Sequence, residues 1–177
     1  AAGCLILDTC DNVAITNTIA EDVMGDNAGY TRYPIGTGYS GTFADNPTHL
    51  YFIRGLVIDN CTVRNNPSWE GIDCHGGEDV HITNNTIENC YIGISVQSAS
   101  SSGAQVVGDN VLKRCVVSGN TMDRGTAAES LYGINVAGSA YGNAANSWLM
   151  EGVTVTDNFI TGFGGTIVAA DTGKWGG

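Results

Sequence analysis

Positive charge is scarce in this chain: 7 Lys and Arg stand against 18 Asp and Glu over 177 residues, a formal net charge of −11. Nucleic acid needs a basic face for its phosphates, so the balance argues against it as a partner, and against an anionic membrane surface as well. Long apolar runs are also lacking. The longest, such as Cys4-Leu5-Ile6-Leu7, falls far short of the roughly 20 apolar residues of a transmembrane helix, so no membrane span is expected. Helix formers are few, with 2 Lys and 7 Leu beside 14 Ile, 15 Val, 17 Thr, 16 Asn and 25 Gly. Branched residues fit pleated strands, and Asn and Gly accept the positive φ of tight turns. The composition therefore predicts an all-β protein of short strands and many turns. The 6 cysteines show no Cys-x-x-Cys pair, and a chain this long can fold without staples, so buried free thiols are expected rather than disulfides or zinc.

What is present is a repeat. Leu56-Val57-Ile58-Asp59-Asn60-Cys61-Thr62-Val63 lines up with Val80 to Ile87, with Cys115 to Met122 and with Val153 to Ile160; a shortened copy, Val13 to Ile19, precedes them. Each copy alternates apolar and polar residues, bends at an Asn-rich step and returns to an apolar residue, as a strand with one buried face does. A second segment follows at Gly71-Ile72-Asp73-Cys74, Gly93-Ile94-Ser95-Val96, Gly133-Ile134-Asn135-Val136 and Gly165-Thr166-Ile167-Val168. Successive first-strand starts are 43, 24, 35 and 38 residues apart, and the shortest spacing suits one turn of a solenoid. Asn17, Asn85, Asn120 and Asn158 are expected to form one stacked column, with Cys61 in the remaining place. The surplus residues, at about 25–49, 97–111 and 137–151, are rich in Gly, Ser, Ala, Asn and Tyr and read as loops leaving the coil.

This pattern resembles the right-handed parallel β-helix family over roughly residues 4–170. The resemblance implies a single-stranded, all-β solenoid of about five coils. Residues 1–177 form one such domain, expected to be a segment of a longer chain or one subunit of a homotrimer, because terminal coils need covering.

Strand alternation then assigns faces. With Ile72 and Cys74 inward, Gly71, Asp73 and His75 should point out on one line. Stacking sets Ser95 and Asn135 over Asp73, and Gln97 and Ala137 over His75. Another column two residues before each Gly holds Trp69, Tyr91 and Leu131. Only the coil at Asp73-Cys74-His75-Gly76-Gly77 runs into the next turn without a loop, which should open a gap there. Aromatic rings beside short polar groups are what sugars bind, since C–H faces stack on rings and hydroxyls pair with amides, acids and hydroxyls. The expected substrate-binding set is Trp69, Tyr91, Ser95, Gln97 and Asn135. The expected acid/base pair is Asp73 and His75.

The stretch Gly71 to Gly77 resembles the D-x-H-G-G motif of some phage tailspike proteins. It is also similar to the D-P-H-D motif of mannuronan C5-epimerases, with Cys74 in place of Pro and Gly76 in place of the second Asp. These resemblances imply a polysaccharide-processing β-helix, extracellular or virion-associated, with a glycosidase favoured over a lyase or epimerase. Hydrolysis asks for a second carboxylate, and Asp59, Glu70 and Glu78 stand nearest in sequence. A lyase must neutralise a uronate carboxyl, and no Arg or Lys adjoins the motif; bound calcium is the alternative cofactor, although no twelve-residue calcium loop is present. The rival reading is a non-catalytic structural or adhesive β-helix of a phage tail or cell surface.

Overall fold

The computed structural model describes residues 2–7, 10–23, 32–37, 53–98, 111–126, 132–138, 149–171 and 174–175. Among them there is no helix, and every strand pairing is parallel. The strands lie in two sheets, and their neighbours in space come from successive turns of the chain rather than from adjacent segments. The chain therefore coils, each turn adding strands to both sheets.

Register fixes what each position becomes. Ile15, Ile58, Ile82, Val117 and Val155 follow one another up the first sheet as a single interior column. On the second sheet Ile35, Ile72, Ile94 and Ile134 do the same. Leu56, Ile58, Val80, Ile82, Ile72, Ile94 and Val117 have no exposure at all. Burying such side chains contributes about 1.5–3 kcal/mol each before chain entropy is subtracted. Cys10, Cys61, Cys74, Cys90 and Cys115 are buried free thiols. Burial pushes the Cys74 and Cys90 thiols up to about 12, which makes them inert packing groups.

Three parts of the sequence reading are corrected. The copy at Val13–Ile19 is not shortened: Ile19 pairs with Thr62 and stands exposed, and Ala20 takes the interior place opposite Val63. Asn17 consequently leaves the expected Asn column for the adjacent one. With Asn60, Asn84 and Asp157 it occupies a bend of positive φ, between 53° and 56°, where Gly119 serves in the fourth coil. A short amide or carboxylate side chain tolerates that conformation by bonding locally. Asn60 Nδ2 donates to Asn17 Oδ1 and Asn84 Nδ2 to Asp59 Oδ1. The third correction is a slip by one residue at Gly165: Val168 pairs with Asn135, and Ala169, not Val168, stands over Val136.

The stretch 25–49 also contains more than a loop. Arg32–Thr37 is the second-sheet strand of the first coil, and Ala2–Leu7 pairs beneath it. Val111–Lys113 and Leu149–Glu151 likewise turn the ends of the other two surplus stretches into strands. Residues 25–31, 38–49, 99–110 and 139–148, with Tyr30, Tyr39, Phe43, His49 and Trp148 among them, lie outside the described residues, as does Leu131.

The column that does form is Cys61, Asn85 and Asn120, all buried, and the half-buried Asn158. Each Asn Oδ1 accepts the backbone N–H of the coil before it, at 2.9–3.0 Å: Cys61 to Asn85, Asn85 to Asn120, and Asn120 to Asn158. Each Nδ2 donates to a backbone carbonyl at the preceding bend, those of Ile58, Ile82 and Val117. Cys61 fills the equivalent place, its thiol donating to Ile15 O at 3.4 Å. The column thus satisfies backbone groups that the bend removes from the strand ladders. Asn120→Leu should leave the buried Asn85 N–H and Ile82 carbonyl short of a partner. At about 1–3 kcal/mol for each unsatisfied group, denaturant unfolding should show a loss of about 3 kcal/mol. A loss below about 1 kcal/mol would remove the column from the forces holding the fold.

Candidate functional site

The site grows from one irregular strand, Thr62–His75. Its register against Thr86–Ser98 shifts between Asn66 and Glu70, where Asn66 faces Cys90 and Glu70 faces Ile92. Four residues on one strand therefore span what two span on the other. Pro67, which has no N–H to give a ladder, sits in the extra stretch. The buried Asn66 side chain closes it by donating to Glu70 O at 2.7 Å, and Ser68 Oγ donates to Asn66 Oδ1. The bulge presents Trp69 to Tyr91 of the next coil, with ring centroids 6.4 Å apart and planes 15° from parallel. It also turns the Glu70 side chain into the structure, where it is 4% exposed.

Beyond the bulge, Gly71 faces inward, contrary to the outward line expected of it. A Cβ at Gly71 would meet the core atoms Cys90 Sγ and Ile87 Cγ2 at 3.1 Å, and one at Gly93 would lie 2.8 Å from Met122 Sδ and 2.5 Å from Gly133 O. The glycine column lets successive coils close on the core at this corner; it is not part of an outer binding strip. Gly93→Ala should therefore destabilise the fold by at least the 1–3 kcal/mol typical of overpacking, measured as a lowered denaturation midpoint; an unchanged midpoint would mean the corner can open.

The line of Asp73, Ser95 and Asn135 is aligned as expected, and so is that of His75, Gln97 and Ala137. The expectation that Asp73 is a solvent-facing residue is not met: Asp73 and Ser95 have no exposure. Their side chains stand outside the apolar core but are covered. His75 Nε2 lies 2.7 Å from Asp73 Oδ2. Gln97 Nε2 donates to Asp73 Oδ1 at 3.1 Å and lies 3.2 Å from His75 Nε2. Asn135 Nδ2 donates to Ser95 Oγ at 3.1 Å. From the coil beneath, Tyr33 packs edge-on to His75 with centroids 6.5 Å apart. Its ring lies over Gly36, the residue paired with Asp73, where a Cβ would come within 2.8 Å of Tyr33 Cβ. His75 is 19% exposed at its side chain, so it is the member of the pair that reaches the surface.

Glu70 completes the cluster. Burial pushes its carboxyl up to about 8, the Asp73 charge adds to the rise, and His75 partly offsets it. The other two candidate carboxylates are elsewhere. Asp59 accepts from Thr83 and Asn84 on the first sheet, and those bonds hold its carboxyl below the usual range. Glu78 is ion-paired with Arg54, Lys113 and Arg114. Arg64 is paired with Glu21. His81, on the first sheet between Val57 and Val116, is exposed and remote from the cluster. Among the described residues no three His, Cys, Asp or Glu side chains are grouped to hold a metal ion. Sequence reasoning offers Glu70 only as one of three unranked carboxylates, and it does not place Tyr33 against His75. The Asn66-Pro67-Ser68 turn signal could have placed the bulge, but the contact between Tyr33 and His75 spans 42 residues and leaves no local trace.

Residues 1–147 match the family described as a right-handed β-helix region. The chain belongs to that family. No curated protein and no solved structure matches it. The family membership gives this β-helix its right-handed winding and agrees with the parallel pairing of every described strand. It leaves the chemistry to the side chains on the coils.

Because the Glu70 carboxyl is raised on folding, from an ordinary value of 4.5 to about 8, its favourable contribution is full below pH 4.5 and is lost as pH rises through about 8. Wild-type stability should fall over that window, and Glu70→Gln should flatten the fall. Parallel pH profiles for the two proteins in chemical denaturation would show that Glu70 ionises freely in the folded state.

Proposed function

We propose that this β-helix binds a polysaccharide across the Trp69–Tyr91 stack and hydrolyses it with Glu70 as proton donor and the Asp73–His75 pair beside it. The observation that carries the reading is a buried carboxyl held protonated near neutral pH next to a second carboxyl and an imidazole. A carboxyl kept protonated beside a second carboxyl is the arrangement glycoside hydrolysis uses, one donating to the leaving oxygen and the other supporting attack. The stacked rings supply a sugar platform, and Asn135 extends the polar column beyond it. Arg54, Arg64, Lys113 and Arg114 are engaged with acids away from the cluster, which favours hydrolysis over elimination from a uronate. A polysaccharide substrate fits an extracellular or virion-associated protein, in a trimer or a longer chain.

A second reading has its own support. The complete burial of Asp73 and Ser95 suits a polar seam that only fixes coil register, in a structural or adhesive β-helix. A glycan array followed by a reducing-end assay on the bound glycans separates the two. Hydrolysis predicts new reducing ends, with Glu70→Gln lowering kcat by the roughly 10²–10⁴-fold typical of a positioned acid and leaving KM nearly unchanged. Trp69→Ala should chiefly raise KM. Binding without cleavage in the wild type would transfer the function to the adhesive reading.

A further inference from the structure

Trp69 Nε1, Glu70 Oε2 and Asp73 Oδ2 are buried polar atoms without a hydrogen-bond partner among the described residues. Such atoms are costly to keep, and the first two belong to adjacent residues. On a regular strand adjacent side chains point to opposite faces and could not meet. The register shift between Asn66 and Glu70 breaks that alternation at this point. One face of the Trp69 indole stacks on Tyr91 while its N–H edge is buried, and Glu70 is turned into the structure behind it. An indole N–H only donates, and an ionised carboxylate only accepts. The two unpartnered atoms are therefore complementary, most strongly once Glu70 carries charge, since a bond to an anion is roughly twice a neutral one. The indole accordingly pulls Glu70 toward its ionised form, against the effect of burial.

We propose that Trp69 is a positioning residue as well as a sugar platform: its indole N–H closes on Glu70 Oε2 when the carboxyl loses its proton, and holds the carboxylate that proton donation leaves behind. In the forward step the Glu70 proton passes to the leaving oxygen of the glycan, and the electron pair stays on the carboxylate. A buried anion then needs a donor, and the indole supplies one without bringing in water. Other groups act on the same charge. From its own strand, Asp73 opposes ionisation of Glu70 and His75 favours it. The facing strand of the next coil sets the apolar Ile92 opposite Glu70, Tyr91 against Trp69 and Gln97 against the Asp73–His75 pair. The coil beneath brings Tyr33 to His75. The catalytic use of this contact rests on the hydrolase reading, but the contact itself does not.

The test is a pH titration of the whole chain by NMR, with nitrogen-15 in the tryptophan indoles and carbon-13 in the glutamate carboxyls. The Trp69 signal is assigned by its loss in Trp69→Phe, and the Glu70 signal by its loss in Glu70→Gln. In the wild type the Trp69 indole proton should move downfield with the Glu70 midpoint, near 8, as a proton does on bonding to an anion. In Glu70→Gln it should stay in place. Trp69→Phe keeps a stacked ring and removes the N–H, and it should raise the Glu70 midpoint by about one unit. An indole signal that ignores the Glu70 titration, or a midpoint that Trp69→Phe leaves unchanged, would overturn the proposal. If neither variant folds, the wild type decides: the indole signal either shares its midpoint with a glutamate carboxyl or it does not. Absent cleavage would remove the hydrolase reading and leave these spectra as they are, so the two failures are distinguishable.

Discussion

The constraint on which this protein depends is that every coil must stack in phase on the one before. Strands from successive turns pair at about 4.8 Å, and a side chain's surroundings are then set by the residues directly above and below it. A position is therefore only as stable as its column. Isoleucine over isoleucine makes a core with no exposed member from Ile72 to Ile134. Asparagine over asparagine turns three bends into one continuous hydrogen-bonded seam. A slip of one residue would place every polar side chain inside and every apolar one outside.

The same constraint builds the site. Asp73 is completely buried, with Gln97 donating to its Oδ1 from the coil above and His75 Nε2 beside its Oδ2 on its own strand. Gly36 beneath Asp73 leaves room for the Tyr33 ring, and Gly71 and Gly93 let the coils approach where a side chain could not fit. The bulge at Asn66–Glu70 is the one departure from regular pairing on this strand. It places Trp69 and Glu70 where an unbroken strand would have continued the simple alternation. Irregularity on a regular scaffold is how repeat folds make room for chemistry.

Much of this was legible beforehand. Alternation with a repeated Asn bend gave the parallel coil, the column of Ile58, Ile82, Val117 and Val155, and the alignment of Asp73 with Ser95 and Asn135. Copies that diverge were harder to phase. Val13–Ile19 was misjudged because Ala20, not Ile19, takes the inward place, and the exposed Ile19 mimics a core residue. The strand Arg32–Thr37 was hidden because its Gly, Pro and Tyr look like loop composition.

The sequence alone determined the architecture, because a periodic pattern of apolar residues and Asn bends has few ways to bury itself other than stacking turn on turn. It also singled out Asp73 and His75 as neighbours. Only the tertiary structure decided their environment. Burial and the coupling of charges depend on which side chains close over a group from other coils, and here those are Tyr33 and Gln97, 40 residues before Asp73 and 24 after it. Whether Glu70 is a surface acid or a buried one turns on a bulge that shifts the register of one strand against the next, and register is a property of the pair, not of either strand.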